Sequence, residues 1–298
     1  MAVTMMRHDA AANFADVPEP WQPGTIRELT RNDKPEVLEF LTARPVHTVF
    51  MAGLIYDNGL VSPRNRGSFY GSRNRSGQLE GVALIGHATL VEAHTEEALI
   101  AFARVARNCH NTHLIRGEQT SAHTFWRYFS DDGQDPRLVS AEHLLEINDV
   151  VSGEKAEGLR RATVNDLEKV LAVNAAMAFE EGGVSPLQTD PSGFRSRLLW
   201  RIEKDRVWVW IEDGRLIFKA DVVSQTPDVS YLEGIYVNPD ERRLGYGQQC
   251  LSQLCATLLE NSKSVCLTVN GLNKAAKALY TKIGFRQFSE YQTIYLSK

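Results

Sequence analysis

Residues 229–262 carry the strongest chemical signal in the chain. Val229 to Val237 reads as an apolar strand, Asn238 and Pro239 as a turn, and a helix follows with apolar positions at Cys250, Leu251, Leu254, Cys255, Leu258 and Leu259. Between strand and helix lie Arg242, Arg243, Leu244, Gly245, Tyr246 and Gly247. The glycines let backbone N–H groups approach a ligand closely, and the helix that follows adds the positive end of its dipole, so this stretch is suited to cradle a phosphate. It is not a dinucleotide fingerprint, because the third glycine is missing and the arginines precede the glycines. No Gly-Lys-Ser/Thr follows, which removes a P-loop. Two further residues can move protons. Glu233, in an extended strand, shares a face with Val229, Tyr231, Ile235 and Val237, and a carboxylate on an apolar face makes a good proton acceptor. The competing reading is a carboxylate that reaches solvent or a structural arginine. Tyr280, on a helix capped by Asn273, shares a stripe with Ala276, Leu279 and Ile283 and so faces inward.

Together these residues resemble the GNAT superfamily of acyl-CoA-dependent N-acyltransferases. Arg242, Gly245 and Gly247 match its pyrophosphate loop, and Val237-Asn238-Pro239 matches the Val-x-Pro before it. A second signature matches at Asn273, Ala276, Leu279, Tyr280, Gly284 and Phe285, after a strand at 265–269. The resemblance covers 159–298, with a hairpin at Asp213-Gly214 and a closing strand at 290–296. It implies that acetyl-CoA enters a splayed gap between the strands at 229–237 and 265–269. Its pantetheine would pair with main-chain groups of Ile235, Tyr236 and Val237 and meet Asn273. Its pyrophosphate would meet the N–H groups of Arg243, Leu244, Gly245, Tyr246, Gly247 and Gln248. The implied roles are base for Glu233 and acid toward the departing sulfur for Tyr280. Glu180 and Glu181, in the loop expected to border the acceptor, are candidates to attract a cationic amine.

The elements that must position these residues appear twice. Residues 26–41 align with 159–174 at an offset of 133, through Arg27 and Arg160, Thr30 and Thr163, Asn32 and Asn165, Asp33 and Asp166, Val37 and Val170, and Leu38 and Leu171. Each copy reads as a short strand, a capped turn and an amphipathic helix, and a hairpin follows in each half: 68–70 with 79–85, and 207–211 with 216–223. The expected organisation is a flexible segment at 1–24, a GNAT-like domain at 25–152 and a GNAT domain at 153–298, joined by a polar linker at 151–158. The fold class is mixed α/β (α+β), tandem copies each with a mostly antiparallel sheet flanked by helices. Through 50–54 and 77–81 the first half resembles the degenerate domain fused ahead of some GNAT domains. In place of the phosphate loop it has Glu92, His94, Glu96 and Glu97, so it is expected to be a structural or acceptor-shaping partner and not to bind the donor.

Composition narrows the partners. With 43% hydrophobic and 23% charged residues the chain can bury a large core, and a net charge of -4 exerts no general pull on nucleic acid or an anionic membrane. No apolar run reaches the length of a spanning helix, and 1–20 lacks the core of a signal peptide; a cytoplasmic location is the expectation. All eight histidines precede residue 150, which removes Ser-His and Cys-His catalysis from the second half. Cys109, His110 and His113 cluster without a second ligand pair, so no metal is expected, and the four cysteines are expected as thiols. Arg64, Arg66, Arg73 and Arg75 interleave with Phe69 and Tyr70, a pattern that can bind single strands, but the run adjoins a hairpin and solvated strand ends explain it; no nucleic-acid partner is expected. Trp208 and Trp210 read as packing residues. The reading is an acetyl-CoA-dependent N-acetyltransferase acting on a primary amine by direct attack in a ternary complex, as a monomer or homodimer. The alternative is a non-catalytic acyl-CoA-binding or partner-docking protein.

Overall fold

Both halves open on the same local device. Thr30 and Thr163 each form a capping box with Asp33 and Asp166, and each aspartate also takes an arginine from the strand before it, Arg27 at 2.8 Å and Arg160 at 2.8 Å. These are matched residues of the internal repeat, so the match has a physical cause: arginine, threonine and aspartate together satisfy a helix entrance.

The computed structural model describes residues 26–130, 135–150 and 155–297; the expected lead-in at 1–24 and the first part of the expected linker, 151–154, lie outside them. The first half runs β1 (Ile26–Glu28), α1 (Lys34–Thr42), α2 (Pro45–Asn58), β2 (Gly67–Arg73), β3 (Leu79–Gly86), β4 (Ala88–Ala93), α3 (Glu96–Arg107), β5 (Leu114–Glu118), α4 (Gln119–Phe129) and β6 (Leu138–Ile147). The second repeats that order with one additional short helix, α6 (Pro186–Thr189): β7 (Arg160–Arg161), α5 (Leu167–Gly182), α6, α7 (Pro191–Glu203), β8 (Val207–Glu212), β9 (Arg215–Gln225), β10 (Val229–Val237), α8 (Tyr246–Leu259), β11 (Ser264–Asn270), α9 (Lys274–Ile283) and β12 (Arg286–Tyr295).

The strands of both halves form one sheet in the order β1-β2-β3-β4-β5-β12-β6-β11-β10-β9-β8-β7. It is antiparallel except for β4 with β5 and β10 with β11. Its centre is crossed over: β12 lies between β5 and β6, with Ile294 opposite Ile115 and Val139, while β6 lies against β11, with Ile147 opposite Val265. Each half thus completes its sheet with the other half's last strand. The expected closing strand at 290–296 begins earlier, at Arg286, and belongs to this exchange.

Helices cover both faces. The α8 and α9 helices pack on a core that includes Phe218, Leu232, Leu254 and Ile283, and burial of side chains of this size contributes about 1.5–3 kcal/mol each. On the opposite face α2 bridges the halves: Val46 and Val49 meet Val229, Tyr231 and Tyr291. The helix approaches β9 so closely that a Cβ on Gly53 would lie 1.9 Å from Ser224 Oγ, and that hydroxyl donates to the Val49 carbonyl at 2.7 Å.

Candidate functional site

The β10 and β11 strands pair in parallel from Val229 opposite Ser264 to Leu232 opposite Leu267 and then part, although they continue to Val237 and Asn270. On its other side β10 jumps register against β9, from Glu233 opposite Asp221 to Tyr236 opposite Lys219. This bulge leaves Gly234 and Ile235 out of the ladder. Only glycine fits its first position, where φ is +59° and a Cβ would lie 2.6 Å from Lys219 Nζ. The result is a wedge-shaped gap whose inner edge carries unpaired backbone amides.

The gap leads into the arginine-glycine loop. A 3-10 turn at Pro239–Glu241 is followed by Arg243 at φ 67° and Gly245 at φ 95°, where α8 begins. The first N–H groups of this helix have no intrahelical partner, and its first turn holds no acidic residue. The two glycines do different work. Gly245 takes the left-handed turn, whereas Gly247 lets α8 lie against β10 and α9, since its Cβ would be 3.0 Å from Val237 and 3.4 Å from Leu279. Arg242 is tied down, its Nε donating to the Val237 carbonyl at 3.2 Å, while Leu244 is exposed.

The first half has the same splay without the loop. The β4 and β5 strands pair from Ala88 opposite Leu114 to Leu90 opposite Arg116 and then separate. Only His94 and Thr95 link β4 to α3; Thr95 caps the helix with its own hydroxyl, and Glu96 and Glu97 occupy the first turn. A side chain already satisfies the helix entrance there, and its charge repels an anion.

The bulge corrects one expectation. Glu233 keeps company with Val229 and Tyr231, but Ile235 and Val237 turn to the opposite face and pack toward α8. Nor is the face around Glu233 apolar. Arg116, from β5 of the first half, donates to Glu233 Oε1 at 3.0 Å, lies 3.2 Å from Glu142 Oε2 and 2.7 Å from the Tyr231 hydroxyl, and bonds Thr268. The reading in which Glu233 meets a structural arginine is therefore realised, with that arginine supplied across the two halves. Burial alone would lower the Arg116 pKa, but Tyr231, Glu142 and Glu233 raise it well above its usual value. Beside Glu233, the fully buried Lys219 lies 2.9 Å from Asp221, which also accepts from Asn174 at 3.1 Å and Arg201 at 3.2 Å. Burial lowers the Lys219 pKa against the pull of Asp221. None of these partners was expected from sequence. The visible signal for two of them is Lys219-Ala220-Asp221 inside an otherwise apolar strand.

Apart from Lys219, which lies behind the wall, these groups line a cavity of about 450 Å³ whose floor is the sheet face and whose other walls are formed by α2, α5 and α7. Alternation along the strands sets the floor, with Arg116 and Glu118 on β5, Tyr291, Thr293 and Tyr295 on β12, and Tyr231 and Glu233 on β10. Glu181 stands on the wall. The cavity leaves it an accessible surface while protein encloses it on other sides; that enclosure, followed by the charge of Glu233 and opposed by Arg116, pushes its pKa up to about 7. Glu180 is exposed and does not line the cavity. Tyr280 points inward as expected, buried with Phe285 and Ile283. Burial, then Glu181 and Cys255, pushes its pKa up. Asn273 caps α9 by accepting from the Ala276 N–H at 3.0 Å.

Other expectations resolve outside the cavity. In the arginine-aromatic run Phe69 and Arg73 are buried, Arg73 in an ion pair with Glu36. Trp210 packs edge-on to Tyr246 with ring centroids 4.9 Å apart. Cys250, Cys255 and Cys266 are buried free cysteines, and Cys109 is half-buried and free. Among the described residues no group of three or more ligand-type side chains is placed to hold a metal ion, and no helix is long and apolar enough to cross a membrane.

Residues 176–285 match the model of the acetyltransferase (GNAT) family. No curated protein matches the chain. Among solved structures, a Drosophila protein superposes with a TM-score of 0.66 at 13% identity, over 91% of this chain and 98% of that one. An acetyltransferase from the GNAT family of Colwellia psychrerythraea gives 0.55 at 12% identity, over 92% and 100%. A tandem GNAT protein from the clavulanic acid biosynthesis pathway gives 0.55 at 12%, over 92% and 99%. At these identities the likeness is one of fold, and it extends over both halves.

Proposed function

We propose that the protein moves an acetyl group from acetyl-CoA to a primary amine by direct attack in a ternary complex, a reading supported by the match of residues 176–285 to the acetyltransferase (GNAT) family. The observation that carries the proposal is the parting of β10 from β11 beyond Leu232 and Leu267, beside an arginine-glycine loop that opens α8. Amides of Arg243, Leu244, Gly245, Tyr246, Gly247 and Gln248 hold the pyrophosphate. The unpaired edge at Ile235, Tyr236 and Val237 takes the pantetheine, with Asn273 at its side, and the thioester lies toward the cavity.

The reaction makes a nitrogen–carbon bond and breaks a carbon–sulfur bond, so one proton must leave the amine and one must reach the thiolate. Glu233 is the proton acceptor, through its second carboxylate oxygen or an intervening water, because Arg116 occupies the first. Arg116 thereby fixes the carboxylate as a positioning residue. The Tyr280 hydroxyl supplies the proton to sulfur; its raised pKa keeps that proton in place until the thiolate forms. Backbone N–H groups freed at the bulge are suited to polarise the thioester carbonyl. Glu181, beside Glu233, attracts the amine in its cationic form.

Thiol release from acetyl-CoA over a panel of amines tests the reading. Glu233→Gln and Tyr280→Phe should each lower kcat by about 10²- to 10⁴-fold with coenzyme A affinity retained. Calorimetry that finds no coenzyme A binding would refute the donor site. Binding without turnover on any amine would favour the non-catalytic acyl-CoA-binding alternative.

A further inference from the structure

The proposed reaction uses one end of the cavity, and the other end is built with equal care. It runs into the splay of β4 and β5, where Leu90, Glu92, Gly117 and Glu118 form the walls. This first-half slot repeats the donor slot in shape and opposes it in charge. Arg44 serves both acids there, with Nη1 2.7 Å from Glu92 and Nη2 2.8 Å from Glu118. His47, the nearest other base, has its pKa lowered by burial and then by Arg44, so it adds little positive charge at neutral pH. Two carboxylates on one guanidinium leave a negative charge over.

The second-half end shows the same imbalance. Arg116 is shared by Glu233 and Glu142, and although Asp221 has both Lys219 and Arg201, Glu181 has no ion-pair partner among the described residues. Across the cavity six carboxyl groups meet four cations, counting Arg44 and Lys219 behind the wall; burial raises the pKa of two of the six, Glu181 and Glu92, and a cation beside them favours their ionised forms. A separate observation also points to a ligand. Thr293, near the C-terminal end of β12 and 3% exposed, lines the cavity, and its Oγ1 has no hydrogen-bond partner. A buried hydroxyl left in that state is costly unless something arrives to use it.

We propose that the first-half slot is the distal subsite for the acceptor, and that it selects an amine carrying a second cationic nitrogen. The reacting nitrogen lies beside Glu233 and Glu181, the distal ammonium beside Glu118 and Glu92, and Thr293, opposite Arg116 on the neighbouring strand, accepts a hydrogen bond from the distal ammonium. The inference rests on the donor site proposed above. The span follows from the contacts: Arg116 reaches across the sheet to Glu233, so its side chain of about 7 Å plus the 3.0 Å bond puts that carboxylate roughly 10 Å from the β5 backbone, and Glu118 is displaced from Arg116 by roughly 7 Å along the same strand, so the two acidic ends are on the order of 10 Å apart. That suits an extended chain of about eight atoms between nitrogens.

The test compares three acceptors of one length that differ only at the far end: 1,8-diaminooctane, n-octylamine and 8-aminooctanoate. With the full chain and saturating acetyl-CoA, the diamine should have a KM about tenfold below that of octylamine, and the amino acid a KM above both. In Glu118→Gln the diamine's advantage should disappear. Equal KM values, a preference for 8-aminooctanoate, or an advantage that survives in Glu118→Gln would each overturn the proposal. Should that variant fail to fold, the ranking in the parent protein decides. Calorimetry keeps this inference separable from the donor reading. Coenzyme A binding reports on the donor site alone. Diamine binding without donor, present in the parent and about tenfold weaker in Glu118→Gln, supports the distal subsite, and its absence from the parent refutes it.

Discussion

Replacing Glu181 by glutamine should stabilise the protein, and only above neutral pH. The Glu181 carboxyl is raised from 4.5 to about 7 in the folded chain, so the folded state holds this proton more tightly than the unfolded state does. Its contribution to stability is complete below pH 4.5 and is lost as pH rises through 7. Taken at face value the shift is worth about 3 kcal/mol. The side chain keeps more than a third of its accessible surface, and screening by water in the cavity reduces the figure to about 1 kcal/mol. Glutamine copies the neutral acid and cannot ionise. At pH 8 Glu181→Gln should therefore exceed the parent by about 1 kcal/mol, or about 2 °C in Tm for a chain of this size, and by about pH 4, below the unfolded-state value, the gap should nearly close. Urea unfolding followed by tryptophan fluorescence at both pH values measures it, and the difference between the two gaps cancels every other titrating group. A variant less stable than the parent at pH 8, or an offset identical at both pH values, would refute the environment assigned to Glu181. The same substitution should raise the KM for cationic acceptors while leaving coenzyme A affinity in place.

Arg116→Met should cost about 3–5 kcal/mol in chemical denaturation, because Glu233 and Glu142 lose their shared cation; a loss below 1 kcal/mol would mean water replaces the guanidinium without penalty. Gly247→Val should destabilise by about 1–3 kcal/mol, since its Cβ would already stand 3.0 Å from Val237, and should weaken coenzyme A binding by moving the start of α8. Thr30→Ala and Thr163→Ala should each cost about 1 kcal/mol, and similar losses are expected because both caps use the same box and the same arginine. A cost confined to one of them would show that the repeat is similar in form only.

Local features of the site were legible in the sequence. The strand at Val229–Val237 and the cap at Asn273 fall where pattern and capping chemistry put them, because each depends on a few neighbouring residues. The alignment of 26–41 with 159–174 was legible for the same reason, being a helix entrance stated twice. The bulge at Gly234 was not, since it is a register shift against the adjacent strand, where a Cβ on Gly234 would meet the buried Lys219 ammonium. Arg116 was the least accessible. In 114–118 it is one charged residue in a short strand, and its importance comes from Glu233, Tyr231 and Thr268, which lie more than a hundred positions away. The exchange of β6 and β12 has no local signature either, because it is a pairing between strands far apart in the chain.

That exchange sets a schedule for biosynthesis. The inner edge of β5 is covered only by β12, so the amino-terminal half, although translated first, stays unfinished until residues 286–295 have left the ribosome. Until then the nascent chain exposes open strand edges at β5 and β6, the kind of surface that invites aggregation or capture by chaperones. Stopping translation ahead of β12 would thus leave two incomplete halves, not a finished one followed by a fragment.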